Sequence, residues 1–315
     1  MTSRSSTFDR ALAEFAQKIS ELTQTAVDNR KYVLVEKLQA WMREPSSSQL
    51  DKQYRTNTER LLRAAYPTKD FLPIEPWRIN GKGHKCSLVV FSILLDLGLE
   101  NWIATFAEKG ILDSKLPFDL HSLERKLSGL TGGDDAAERF NERQWKFCPA
   151  IFGLGMEEDY VENQIIPICR KSEINTGGTA RVDQIVMQAE FVDPSLRSKL
   201  QNDHFASYED STYGPCFIFA LKVFEQGSFQ YYTDEKAAFD GLRENRGVIH
   251  RLGCYTHQTL IPSQPTTGQA NGERQRFERK TTKNLLLEYG TYDLRLIFGH
   301  KSPPVFPKEI LGFWE

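Results

Sequence analysis

Over the first 150 residues, apolar positions recur at helical spacing. Leu12, Phe15, Ile19 and Leu22 stand three or four apart with Gln and Glu between them, which predicts an amphipathic helix over residues 8–30. A second helix is expected over 32–42, stopped by Pro45-Ser46-Ser47-Ser48, and further helical patterns occupy 54–65, 86–107, 120–130 and 135–145. This part reads as an all-α domain over 1–150. Pro149, Gly153, Gly155 and the acidic Glu157-Glu158-Asp159 then break the pattern, so residues 151–164 are expected to be a linker. Beyond it the period shortens to two. Residues 165–169, 182–187, 216–223 and 285–287 are predicted strands, with a single helix over 233–243 set among them. Two polar stretches, 193–213 and 262–284, interrupt this part. The fold class is therefore α+β: helical first, then a twisted antiparallel sheet with one helix over 165–315.

Composition narrows the function. At 315 residues, 40% hydrophobic and 26% charged, the chain has room for two domains with cores of their own. A formal net charge of -2 gives no electrostatic reason for a nucleic-acid or anionic-membrane partner. The cluster Arg274, Arg276, Arg279, Lys280 and Lys283 is interleaved with Glu273 and Glu278 and has no aromatic platform, which favours a solvated hairpin loop. The five cysteines, Cys86, Cys148, Cys169, Cys216 and Cys254, are scattered without C-x-x-C spacing, so neither a disulfide framework nor a zinc site is indicated, and a reducing cytoplasm fits best. The start lacks the apolar core of a signal peptide, and the longest apolar run, residues 88–95, is too short to span a bilayer. No membrane partner is expected.

Phosphate chemistry needs a turn that can close over a nucleotide, a lysine for the phosphates, a carboxylate for the lysine and a strand end for the base. The β-rich half offers each. Gly177 and Gly178 lie in a turn between Ile174 and Val182, where glycine permits positive φ and close approach of backbone N–H groups to phosphate; taken alone, they are better explained by a plain β-turn. Lys222 falls on the same strand face as Ala220 and Ile218, and a lysine in that surface needs a carboxylate or anion unless it reaches water at an edge. Glu235, Ala238, Phe239 and Leu242 follow i, i+3, i+4, i+7, which puts Glu235 on an inward stripe. A Lys222–Glu235 pair is expected, although acids in a first helical turn also suit the helix dipole. His84 and Cys86 lack a second pair of metal ligands, and Gly132-Gly133-Asp134-Asp135 reads as a helix start capped by Asp. No metal site is assigned, and the remaining histidines receive no role.

The order of glycine turn (Gly177, Gly178), A-x-K strand (Ala220, Lys222), E-K helix (Glu235, Lys236), apolar strand and E-Y-G (Glu288, Tyr289, Gly290) resembles the small lobe of the eukaryotic Ser/Thr protein kinases. In phrasing it is similar to a fungal protein-kinase-like family with a helical N-terminal extension. The resemblance covers residues 165–315. It implies that Gly177, Gly178 and Val182 cover ATP, that Ala220 contacts the base, and that Lys222 binds the α- and β-phosphates while paired with Glu235. It further implies Leu287 as gatekeeper, Glu288, Tyr289 and Gly290 as the adenine-binding hinge, 251–255 as the strand after the helix, and 307–315 as the first turns of the next lobe. Asn175 and Ala180 stand where this family's loop has its first and third glycines. No H-R-D and no D-F-G occur, so the catalytic base and Mg²⁺ ligands are not present in this chain. Phosphotransfer to protein hydroxyls is therefore expected only if the native chain continues past Glu315. A chain ending there is expected to be a non-catalytic, pseudokinase-like regulatory module with a protein partner.

Overall fold

The computed structural model describes residues 2–45, 55–67, 71–81, 83–200, 206–242, 249–262 and 277–290. The chain divides into two compact units, Met1–Pro149 and Ala150–Glu315.

The first unit is helical with one small hairpin. α1 (Thr2–Leu22) buries Ala11, Phe15, Ile19 and Leu22. It stops eight residues short of the expected 30, because the chain turns there into β1 (Thr23–Thr25) and β2 (Lys31–Val33), paired antiparallel. Asn29 takes φ 68°, and Asp28 accepts from the Arg30 N–H at 3.0 Å, a local bond that competes with helix. Then follow α2 (Val35–Arg43), α3 (Asn57–Ala65), α4 (Pro76–Ile79), α5 (Leu88–Leu97), α6 (Ile103–Glu108), α7 (Leu120–Leu127) and α8 (Gly133–Gln144). The expected single helix over 86–107 is two. Gly98, at φ 67°, ends α5 in a left-handed cap. α8 is likewise preceded by Gly132 at φ 77°, not by a capping Asp. Thr56 does cap α3, accepting from the Glu59 N–H at 3.2 Å. Among the described residues no helix is long and apolar enough to cross a membrane.

The second unit is a mixed sheet with helices: β3 (Met156–Tyr160), β4 (Ile168–Thr176), β5 (Arg181–Gln188), α9 (Pro194–Leu200), β6 (Ser207–Asp210), β7 (Gly214–Glu225), α10 (Phe229–Gly241), β8 (Arg251–Pro262) and β9 (Phe277–Leu287). Strand order is β3-β8-β9-β7-β5-β4, with β6 paired to the start of β7. All pairs are antiparallel except β3–β8, which is parallel.

Four expectations change here. Residues 156–160, read as linker, form edge strand β3; its three acids in a row conceal it, because an edge strand need not alternate. Residues 277–284, read as loop, continue β9 in register with β8, so the polar stretch is a long hairpin whose 263–276 lie outside the described residues. The stretch 193–213 contains α9, started by Asp193 accepting from the Leu196 N–H at 2.8 Å, and β6. α10 begins at Phe229, since Thr233 donates its hydroxyl to the Phe229 carbonyl at 3.1 Å within the helix and does not cap it. The region 307–315 lies outside the described residues.

One face of this sheet carries Ala220, Phe224, Cys254, Leu285 and Leu287 as a buried cluster, against which Ala180, Val182, Phe229, Tyr232, Phe239 and Tyr289 pack. Phe224 is fully buried and meets Tyr232 edge-on at 5.6 Å, and burying one such ring contributes about 1.5–3 kcal/mol. The opposite face buries Ile185, Phe219, Leu221 and Leu286.

Candidate functional site

Lys222 sits in the middle strand of this arrangement. Its Cα partners are Val182 on β5 and Leu285 on β9, while Ala220 faces Gln184 and Leu287, so strand alternation aligns Val182, Ala220, Lys222, Leu285 and Leu287 on the face that α10 overlies. The Lys222 Nζ donates to Glu235 Oε1 at 2.5 Å, with side chains 24% and 28% exposed. The ammonium also lies 5.7 Å from the Phe224 ring centroid. Glu235 reaches this point because Phe229, Tyr232, Glu235 and Phe239 recur every three or four residues along α10. The inward stripe is thus made by those aromatics. Ala238 and Leu242, assigned to it from sequence, are exposed. Because α10 starts at Phe229, Asp234 and Glu235 fall in its second turn, and the helix-dipole account of these acids no longer applies.

The glycine turn joins β4 to β5. Gly177 donates to the Ala180 carbonyl at 3.0 Å, and Thr176 pairs with Arg181. Contrary to expectation, neither Gly177 nor Gly178 uses positive φ, and both are exposed. A Cβ on Gly178 would meet nothing within 4 Å, and one on Gly177 only the Ala180 oxygen at 3.6 Å. The turn itself does not demand glycine, which leaves its backbone uncovered at the tip. Both glycines lie beyond the apolar cluster that holds Val182, Ala220, Leu287 and Tyr289.

At the end of β9 the Glu288 N–H donates to the His250 carbonyl at 3.1 Å. The Glu288 carboxylate accepts from the His250 N–H at 3.0 Å, meets His250 Nδ1 at 2.8 Å and pairs with Lys199 of α9 at 3.1 Å. Burial pushes this carboxyl upward, but the His250 backbone and ring bonds and Lys199 outweigh it and hold it below the ordinary glutamate range. Gly290 is the last described residue of this segment.

Sequence reasoning missed three neighbours of the site. Lys283 stacks its Nζ 4.9 Å from the Phe229 ring and 5.2 Å from Tyr232, and its register opposite Phe224 was legible from the alternation 283, 285, 287. Arg251 and Glu157 surround Lys236 and Asp240 of α10. No periodicity pointed to them.

In the helical unit, a cleft of about 510 Å³ is lined by Gln39, Arg43, Gly81, Gly83, Cys86, Asp113 and Ser114. Asp113 spends its oxygens on the Val89 and Val90 N–H groups at 3.0 and 2.9 Å, and burial foremost pushes the Cys86 thiol up to about 11, which disfavours its thiolate at neutral pH. The His84 side chain lies outside the described residues. Among the described residues no group of three His, Cys, Asp or Glu is placed to hold a metal ion. Compared with known proteins, the chain matches no family model, no curated protein and no solved structure.

Proposed function

We propose that residues 150–315 form the ATP-binding small lobe of a protein-kinase-like protein. The observation that carries this reading is the Lys222–Glu235 pair at 2.5 Å, set on the sheet face whose apolar cluster takes in Val182, Ala220, Leu287 and Tyr289. It is supported by the strand order, because β7, which bears the lysine, lies between β5, which follows the glycine turn, and β9, which leads into Glu288-Tyr289-Gly290.

The residues suit a nucleotide. An ammonium has three donors, Glu235 takes one, and partial exposure leaves the others open to phosphate oxygens. Val182, Ala220 and Leu287 supply apolar side chains of the kind a base requires, and Tyr289 packs on the same cluster. ATP would supply the transferable phosphoryl group. This chain's residues would orient the triphosphate through Lys222 and shield the base from water. Asn175 and Ala180, in place of glycines, weaken coverage of the phosphates. Transfer to a protein hydroxyl needs a positioned base and Mg²⁺ ligands, and no H-R-D or D-F-G is spelled in residues 1–315, so phosphotransfer is proposed only for a longer native chain.

A thermal-shift titration with ATP tests the reading. At a hundred times the dissociation constant, binding stabilises the protein by about 2.7 kcal/mol. The wild type is expected to show this shift and Lys222→Met to lose it. Absence of a shift in the wild type would overturn nucleotide binding and favour a non-catalytic, partner-binding module.

A further inference from the structure

Helix α10 is weakly held by apolar packing. None of its residues is fully buried, and of its three aromatic anchors Phe229 and Tyr232 lie in the first turn, leaving Phe239 alone for the second half. Yet the helix must sit at a fixed depth and rotation if Glu235 is to meet Lys222. What the second half has instead is charge. The Arg251 side chain is 1% exposed and donates to Asp240 Oδ1 at 2.6 Å and to Glu157 Oε1 at 3.4 Å. Glu157 uses its other oxygen on Lys236 Nζ at 2.8 Å. Withdrawing the helix would take Asp240 from this guanidinium and leave it only longer bonds, to Glu157 at 3.4 Å and to Cys254 Sγ at 3.5 Å, at the cost that a poorly paired buried charge carries. Lys236 and Glu235 are adjacent and therefore point about 100° apart around the helix. One engages β3 and the other β7, and two such ties to different strands fix rotation as well as depth.

We infer that Glu157, on the parallel edge strand β3, together with Arg251 and Asp240, is a set of positioning residues that clamps α10 so that Glu235 pairs with Lys222. The inference is a statement about this pair, and it rests on the nucleotide reading only where nucleotide affinity is the readout. Glu157 is 52% exposed and contributes by where it holds the helix more than by the strength of its bonds.

The test is the rate at which an amine-reactive succinimidyl ester acylates Lys222 in the full chain, followed by mass spectrometry. A lysine held to a carboxylate reacts slowly. Glu157→Gln and Asp240→Asn are expected to raise the Lys222 rate several-fold, toward that of Glu235→Gln, while Glu158→Gln, one residue along the same strand, leaves it at the wild-type value. Adding Glu157→Gln to Glu235→Gln is expected to give no further increase, since both act on one pair. Lys171, which pairs with Asp183 at 2.8 Å across β4 and β5, reports on the integrity of the sheet and should not change. An unchanged Lys222 rate in Glu157→Gln, or an increase that adds fully to that of Glu235→Gln, would overturn the clamp. So would acceleration of Lys171 in parallel. ATP affinity is measured on the same variants: if the wild type binds no ATP, the nucleotide reading falls while the labelling still decides the clamp.

Discussion

At the scale of the residue, the charges of the candidate site are only partly withdrawn from water. Lys222 and Glu235 satisfy each other at the edge of an apolar cluster, and each retains enough exposure to take a further partner. Glu288 is tied more firmly, and its behaviour with pH follows. Its carboxyl is depressed in the folded protein by His250 and Lys199 against the upward push of burial, so it contributes stability that is present above its unfolded value and is lost as pH falls through the folded one. Acid titration of unfolding free energy is expected to show a loss on the acid side of the glutamate range that Glu288→Gln removes. An identical pH slope in the variant would refute the assignment. Lys222 and Glu235 were legible in the sequence because each carries a charge at an apolar position of a regular period. Arg251 was not, since its burial depends on acids contributed by β3 and α10, and no local pattern encodes such a meeting.

At the scale of the element, strands and helices with a strong internal period are found where alternation put them: β5, β7 and α5 each enclose or lie within their predicted spans. Those that depend on distant partners were concealed. β3 has no period of its own and exists because β8 offers it an edge, with Gly155 donating to the Leu252 carbonyl at 2.6 Å just before it. The first half of β9 is polar, with residues 280–283 half-buried, and pairs in register with β8, so composition read it as loop. The fit of β3 against β8 is close. A Cβ on Gly253 would lie 2.7 Å from Met156 Cγ and 3.2 Å from the Met156 carbonyl oxygen. Gly253→Ala is therefore expected to lose about 1–3 kcal/mol of stability by overpacking and to speed hydrogen exchange at residues 156–160. Unaltered exchange there would show that the strands yield without separating.

At the scale of the whole molecule, each unit has a buried core of its own, Leu61, Phe91, Phe106 and Phe140 in one and Phe152, Phe219 and Phe224 in the other. Calorimetry is expected to resolve two transitions. Saturating ATP should raise that of residues 150–315 by about 5–10 °C, taking roughly 2–4 °C per kcal/mol for a unit of this size, and leave the other in place. Hydrogen exchange assigns each transition, and a shift confined to Met1–Pro149 would contradict the proposed site. The lone parallel pair among the described strands of the sheet also sets an order of assembly. β4, β5, β7 and β9 close through antiparallel partners, whereas Glu157 finds Cys254 only after nearly the whole unit has been gathered, the longest loop in the sheet to close. Such a strand docks late and detaches early, by local opening at a free energy below that of global unfolding. An influence that reached residues 150–160 would then be felt at Glu235 while the remaining strands stayed paired.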